Sequence, residues 1–139
     1  MGLNLVQSKR AKGSAFERWV EAWLIKNNPL CTVHRQVSLS KYIPSKGIHV
    51  CTRNDILGCI DLICVSPSAI SMIQATCHTG VGKKFADLRA VTWPWDIVSV
   101  ELWVKRSPTR RVTIWRVYAD HEDILGEIQN GRWVEKEEE

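Results

Sequence analysis

The chain lacks the spacings that mark a metal centre or redox centre built on sulfur. Its five cysteines, Cys31, Cys51, Cys59, Cys64 and Cys77, form no C-x-x-C pair, and their odd number argues against a disulfide framework. The four histidines, His34, His49, His78 and His121, show no zinc-ligand spacing. Free, mostly buried thiols in a reducing compartment are the expected state. No apolar run approaches the roughly 18 to 20 residues that a membrane span needs. Met1 to Arg10 has no apolar stretch of signal-peptide type, so a cytoplasmic protein with no membrane association is expected. There are no internal repeats, and no low-complexity tract apart from the acidic end.

What is present is the stock of one globular domain. The chain has 139 residues, 45% of them hydrophobic and 24% charged, with seven tryptophans supplying most of the aromatic content. That length suits a single domain able to build its own core. The net charge of +4 is unevenly spread. Glu135 to Glu139 contribute −3, so residues 1–134 carry +7. A basic body of 1–134 with an acidic tail at 135–139 suits a polyanionic partner.

The periodicity predicts a helix after Lys12-Gly13-Ser14, with Phe16, Trp19, Val20, Trp23 and Leu24 on one face and an end at Asn27-Asn28-Pro29. Cys31 to Val37 alternates as a half-buried strand. Lys41 to Asn54 reads as an exposed loop. Ile60 to Val65 and Ala69 to Thr76, joined by Ser66-Pro67-Ser68, read as a central hairpin. A second helix is expected over Lys83 to Val91, strands over Val98 to Val104 and Val112 to Tyr118, and a short helix within 120–130. Trp19, Trp23, Trp103 and Trp115 fit buried positions. Trp93 and Trp95 fall in a loop, where exposure is expected. The order is a mixed sheet with helices packed on it, an α/β fold.

Burying a carboxylate is costly unless it is paired or binds a metal. Asp61 nevertheless opens an apolar strand, and Asp55 lies six residues before it. Gln74 and Thr76 are polar residues near the end of the next strand and share one face of it, because side chains alternate with period two. Pairing across the Ser66–Ser68 turn brings Gln74 near Asp61. Such an oxygen-rich cluster suits Mg²⁺, which binds through one or two carboxylates with waters and phosphates completing its shell.

Lys12-Gly13-Ser14-x-x-Glu17, then Asp61-Leu62-Ile63, then Gln74-x-Thr76 followed by a basic helix, resembles the PD-(D/E)xK nuclease superfamily. The nearest likeness is to archaeal and phage Holliday-junction resolvases and related small phage nucleases. It covers about residues 9–90, roughly two-thirds of the chain. The resemblance implies a restriction-endonuclease-like mixed β-sheet flanked by helices, with an αβββαβ core. It implies Asp61 as principal metal ligand, Glu17 as a carboxylate reaching the site from the first helix, and Gln74 at the position of the second acidic ligand. The Ala75 carbonyl would face the metal, and Asp55 would be an additional ligand or a loop residue. Thr76 stands where the family lysine belongs, and Lys84 or Lys83 from the next helix would replace it.

The implied activity is Mg²⁺-dependent hydrolysis of DNA phosphodiesters, with Mn²⁺ able to substitute. The implied substrate is branched or duplex DNA, cut by a homodimer in recombination or repair, in a prokaryotic, archaeal or phage-infected cell. Lys9, Arg10, Lys12, Lys46, Arg53, Arg110 and Arg111 are the candidate phosphate contacts, which position DNA without reading it. Each site residue also has a structural reading. Ser14-x-x-Glu17 has the form of a capping box, Asp61 could pair with Arg53, and Asn54-Asp55 looks like turn chemistry. The departures at Gln74 and Thr76 motivate an alternative, a catalytically inactive nucleic-acid-binding or assembly module on the same fold.

Overall fold

The computed structural model describes residues 9–36, 39–52, 56–77, 79–106 and 110–136; for 9–14, 39–42 and 49–52 it describes the backbone alone. Helix α1 (Lys9–Asn27) leads into β1 (Thr32–Arg35), a separate hairpin of β2 (Leu39–Ile43) and β3 (Ile48–Thr52), then β4 (Leu62–Val65) and β5 (Ile70–Cys77). Helix α2 (Val81–Arg89) follows, and then β6 (Val98–Arg106), β7 (Arg111–Val117), β8 (Glu122–Gln129) and β9 (Arg132–Glu135). One seven-stranded sheet runs in the order β1-β4-β5-β6-β7-β8-β9. All its pairs are antiparallel except β5–β6, which is parallel. A parallel pair needs a crossover, and α2 supplies it.

Each face of the sheet has its own core. Phe16, Val20 and Leu24 of α1 pack with Leu62, Cys64, Ile73, Trp103, Val112, Ile114 and Ile128. Phe85 and Leu88 of α2 pack with Ile60, Met72, Trp93, Val100, Leu102 and Val117 on the other face. Met72 and Ile73 fall in different cores, as the period-two alternation of a strand buried on both sides requires. The two helices thus cover a largely apolar sheet, each fully buried aliphatic side chain contributing about 1.5–3 kcal/mol.

Several sequence expectations are corrected. Helix α1 begins at Lys9, so Ser14 lies inside it and does not hold the N-cap position that a capping box with Glu17 needs. A cap's side chain serves amide groups left free in the first turn, and by residue 17 those amides are already bonded along the helix. The expected loop of Lys41 to Asn54 contains the β2–β3 hairpin, turned at 44–47 with Gly47 at φ 60. The helix expected within 120–130 is strand β8, hydrogen-bonded to β7 and β9. Asn130 and Gly131 take φ 51 and φ 79, the left-handed pair that a two-residue hairpin turn demands. The Asn-Gly dipeptide therefore decides strand over helix there.

Trp93 is buried, not exposed, because its indole N–H donates to the Leu88 carbonyl at 2.8 Å and pins the loop to α2. Trp19 is 38% exposed, on the flank of the α1 apolar stripe. Among the cysteines, Cys59 and Cys64 are buried and Cys77 is exposed. Burial and the neighbouring Cys31 thiol push Cys64 up to about 12. Because the folded value lies above the unfolded one of 9.0, its contribution to stability is complete below pH 9.0 and fades as pH rises toward about 12. At pH about 8.5, near the ordinary thiol pKa, iodoacetamide should label Cys77 within minutes and leave Cys64 unmodified. Peptide mass mapping reads this directly, and equal labelling of the two would contradict the packing.

Candidate metal and phosphate site

A tight turn delivers Asp61 to the sheet. Ile56 and Ile60 form an isolated bridge across Leu57 and Gly58, both at positive φ (55 and 78). The Ile60 N–H donates to the Ile56 carbonyl at 2.9 Å, and the Ile56 N–H to the Ile60 carbonyl at 3.0 Å. Asp61 follows at once, 5% exposed. Its N–H donates to the Ile73 carbonyl of β5 at 2.9 Å, while its own carbonyl accepts the Gln36 N–H, just past β1, at 2.8 Å. In a regular strand both groups of a residue face the same neighbour, so the backbone turns at Asp61. That turn explains why Ile60 joins the α2-side core and Leu62 the α1-side core.

The freed position on the ladder is filled by the side chain. Asp61 Oδ2 accepts the Ala75 N–H at 2.9 Å. Leu62 is paired with Ile73, so continuing the antiparallel register sets Asp61 opposite Gln74. Gln74 is also 5% exposed. Its Oε1 has no hydrogen-bond partner among the described residues. An unsatisfied buried acceptor costs about 1–3 kcal/mol and is uncommon enough to need a reason. A carboxylate and an unsatisfied amide oxygen on adjacent strands are donors of the hard type that Mg²⁺ or Mn²⁺ takes. Among the described residues no group of three or more His, Cys, Asp or Glu converges.

The remaining candidates fall around this pair. Thr76 is half-buried, and Gln74 and Thr76 share the sheet face of Met72, that of α2. Lys83 is exposed and Lys84 half-buried in the first turn of α2, whose Lys84 N–H donates to the Gly80 carbonyl at 3.2 Å. Neither lysine makes an ion pair among the described residues. Glu17 is half-buried on α1, one turn before Glu21. Glu21 meets Arg35 at 3.5 Å, and Arg35 pairs with Leu62. The helical repeat therefore sets Glu17 on the flank of α1 that faces β1 and β4, one turn nearer the sheet end where Asp61 stands. Asp55 and Arg53 lie outside the described residues, as do the side chains of Lys9, Arg10 and Lys12.

The topology also gathers the basic groups, which nothing in their spacing announced. Strands β5, β6 and β8 end, and β4, β7 and β9 begin, at one end of the sheet. Helix α2 starts there with Lys83 and Lys84, and the β6–β7 turn presents exposed Lys105, Arg106, Arg110 and Arg111. Strand β1 also ends there, leading to the hairpin that carries exposed Lys46. Groups more than 20 residues apart in sequence, Lys83 and Lys84 on one side and Lys105, Arg106, Arg110 and Arg111 on the other, thus share the sheet end at which Asp61 and Gln74 lie.

The chain matches no protein-family model, and no curated protein is similar to it. Among the described residues no helix is long and apolar enough to cross a membrane.

Proposed function

We propose that this protein is a metal-dependent DNA endonuclease of the PD-(D/E)xK type, acting on branched or duplex DNA as a homodimer. The observation that carries the reading is the pair of Asp61 and Gln74, two buried oxygen donors on adjacent strands, one with no protein partner among the described residues. The order α1, β1, β4, β5, α2, β6 supports a restriction-endonuclease-like αβββαβ core with the β2–β3 hairpin as an insertion.

Asp61, Gln74 and the Ala75 carbonyl would hold Mg²⁺; Glu17 stands on α1, which covers the sheet face opposite Gln74. When bound, the ion activates water and neutralises charge on the scissile phosphate. The chain's own residues do the rest. The Ala75 N–H fixes the Asp61 carboxylate in one orientation. Lys84, half-buried beside the site, takes the place of the lysine missing at Thr76 and stabilises the phosphate as negative charge develops. Arg110, Arg111 and Lys46 hold flanking phosphates and set the register of the backbone.

Thr76, and the lack of a third acid among the described residues, favour a second reading, a nucleic-acid-binding module without catalysis. Incubation with four-way junction, duplex and single-stranded DNA, each with Mg²⁺, Mn²⁺ or EDTA, separates the two. The nuclease should give cleavage with either metal and none in EDTA. Binding without metal-dependent cleavage on every substrate would leave the second reading standing.

A further inference from the structure

A recess opens at the same end of the sheet, on the α1 side. Its volume is about 550 Å³, inside the roughly 300–1,000 Å³ of small-ligand sites. Phe16 and Trp19 form one wall, Lys105 and Arg110 another, and the Asn130-Gly131 turn a third. Two of the walls are held by contacts. Trp19 stacks on buried Phe16 at 6.0 Å between centroids, and the Trp23 indole N–H donates to the Gly131 carbonyl at 3.0 Å. Trp19 stays 38% exposed although Phe16 and Val20 beside it on the helix are buried. Among the described residues Lys105 and Arg110 have no acidic partner and no acid lines the recess.

An exposed indole beside two unneutralised cations complements an aromatic ring that carries negative charge. An unpaired nucleotide in a nucleic-acid strand has both features, since its base offers a π-face once out of the duplex stack. We propose that this recess binds one unpaired nucleotide of a single strand, the base on Trp19 and its phosphates on Lys105 and Arg110. The inference rests on the nucleic-acid reading above but not on cleavage. The recess and the Asp61–Gln74 pair share one end of the sheet but lie on opposite faces, so binding here is tested independently of the cation.

The test is fluorescence and anisotropy titration of the whole protein in EDTA, so that cleavage does not intervene. The probes are a single-stranded oligonucleotide, the matching blunt duplex and a deoxynucleoside monophosphate. Trp19→Leu should bind the single strand about ten-fold more weakly and the duplex about as well as wild type. Trp19→Phe keeps a ring and should bind the single strand within about two-fold of wild type but lose most of the tryptophan quenching. Lys105→Gln and Arg110→Gln should each lower the single-strand salt slope by about 0.7. Equal effects of Trp19→Leu on both substrates, quenching unchanged in Trp19→Phe, or no binding at low salt would overturn the site. Monophosphate binding as tight as the oligonucleotide would overturn the choice of a strand. Trp19-dependent binding in a protein that never cleaves would leave this inference intact and end the nuclease reading alone.

Discussion

Asp61→Asn should reduce metal-dependent DNA cleavage by about 10³-fold or more, while folding and DNA binding persist. The substitution separates two roles that the structure combines in one side chain. Asparagine keeps an oxygen to accept the Ala75 N–H, which Asp61 Oδ2 now accepts at 2.9 Å. It removes the negative charge, and a divalent cation loses its principal anionic ligand. Asp61→Ala is the less informative variant, because it also strands the Ala75 N–H at a cost of about 1–3 kcal/mol. Single-turnover cleavage in Mg²⁺, with circular dichroism to check folding, measures the effect. Wild-type rates in a folded Asp61→Asn protein would remove Asp61 from the site.

The second large effect is on stability. Gly126 is buried in β8, beneath the β9 strand. A Cβ there would lie 2.5 Å from the Val134 carbonyl oxygen and 2.7 and 2.8 Å from two carbons of the Trp133 ring. The ring can shift, but the oxygen belongs to β9 and moves only with that strand. Gly126→Ala therefore separates β9 from β8 or strains both, at about 1–3 kcal/mol. For a chain of this size that lowers Tm by roughly 3–15 °C. Thermal unfolding followed at the tryptophan emission gives the value. A Tm within about a degree of wild type would show that β9 yields without cost.

The parts of this fold legible in the sequence are those with strong local periodicity. Phe16, Val20 and Leu24 announce a helix and its buried face, and the Ile60–Val65 and Ala69–Thr76 runs announce a hairpin whose register sets Asp61 opposite Gln74. The β8–β9 hairpin was legible too, but in Asn130-Gly131 rather than in the mixed polar pattern of 120–130, which fits either a helix or a strand. Trp19 is different. It follows the same helical spacing as the core residues, and only the tertiary placement of the β6–β7 and β8–β9 turns leaves it half in solvent. The gathering of Lys83, Lys105 and Arg110 at one sheet end is likewise a property of strand direction, which no single segment encodes.

Asp61 and Gln74 are proposed to hold a divalent cation together. Titration of Mn²⁺, followed by the loss of free-ion electron paramagnetic resonance signal, measures that without reference to catalysis. The expected result is one site per chain in wild type, weakened about ten-fold or more in Gln74→Leu and abolished in Asp61→Asn. Absence of Mn²⁺ binding in wild type, or equal binding by all three proteins, would contradict it.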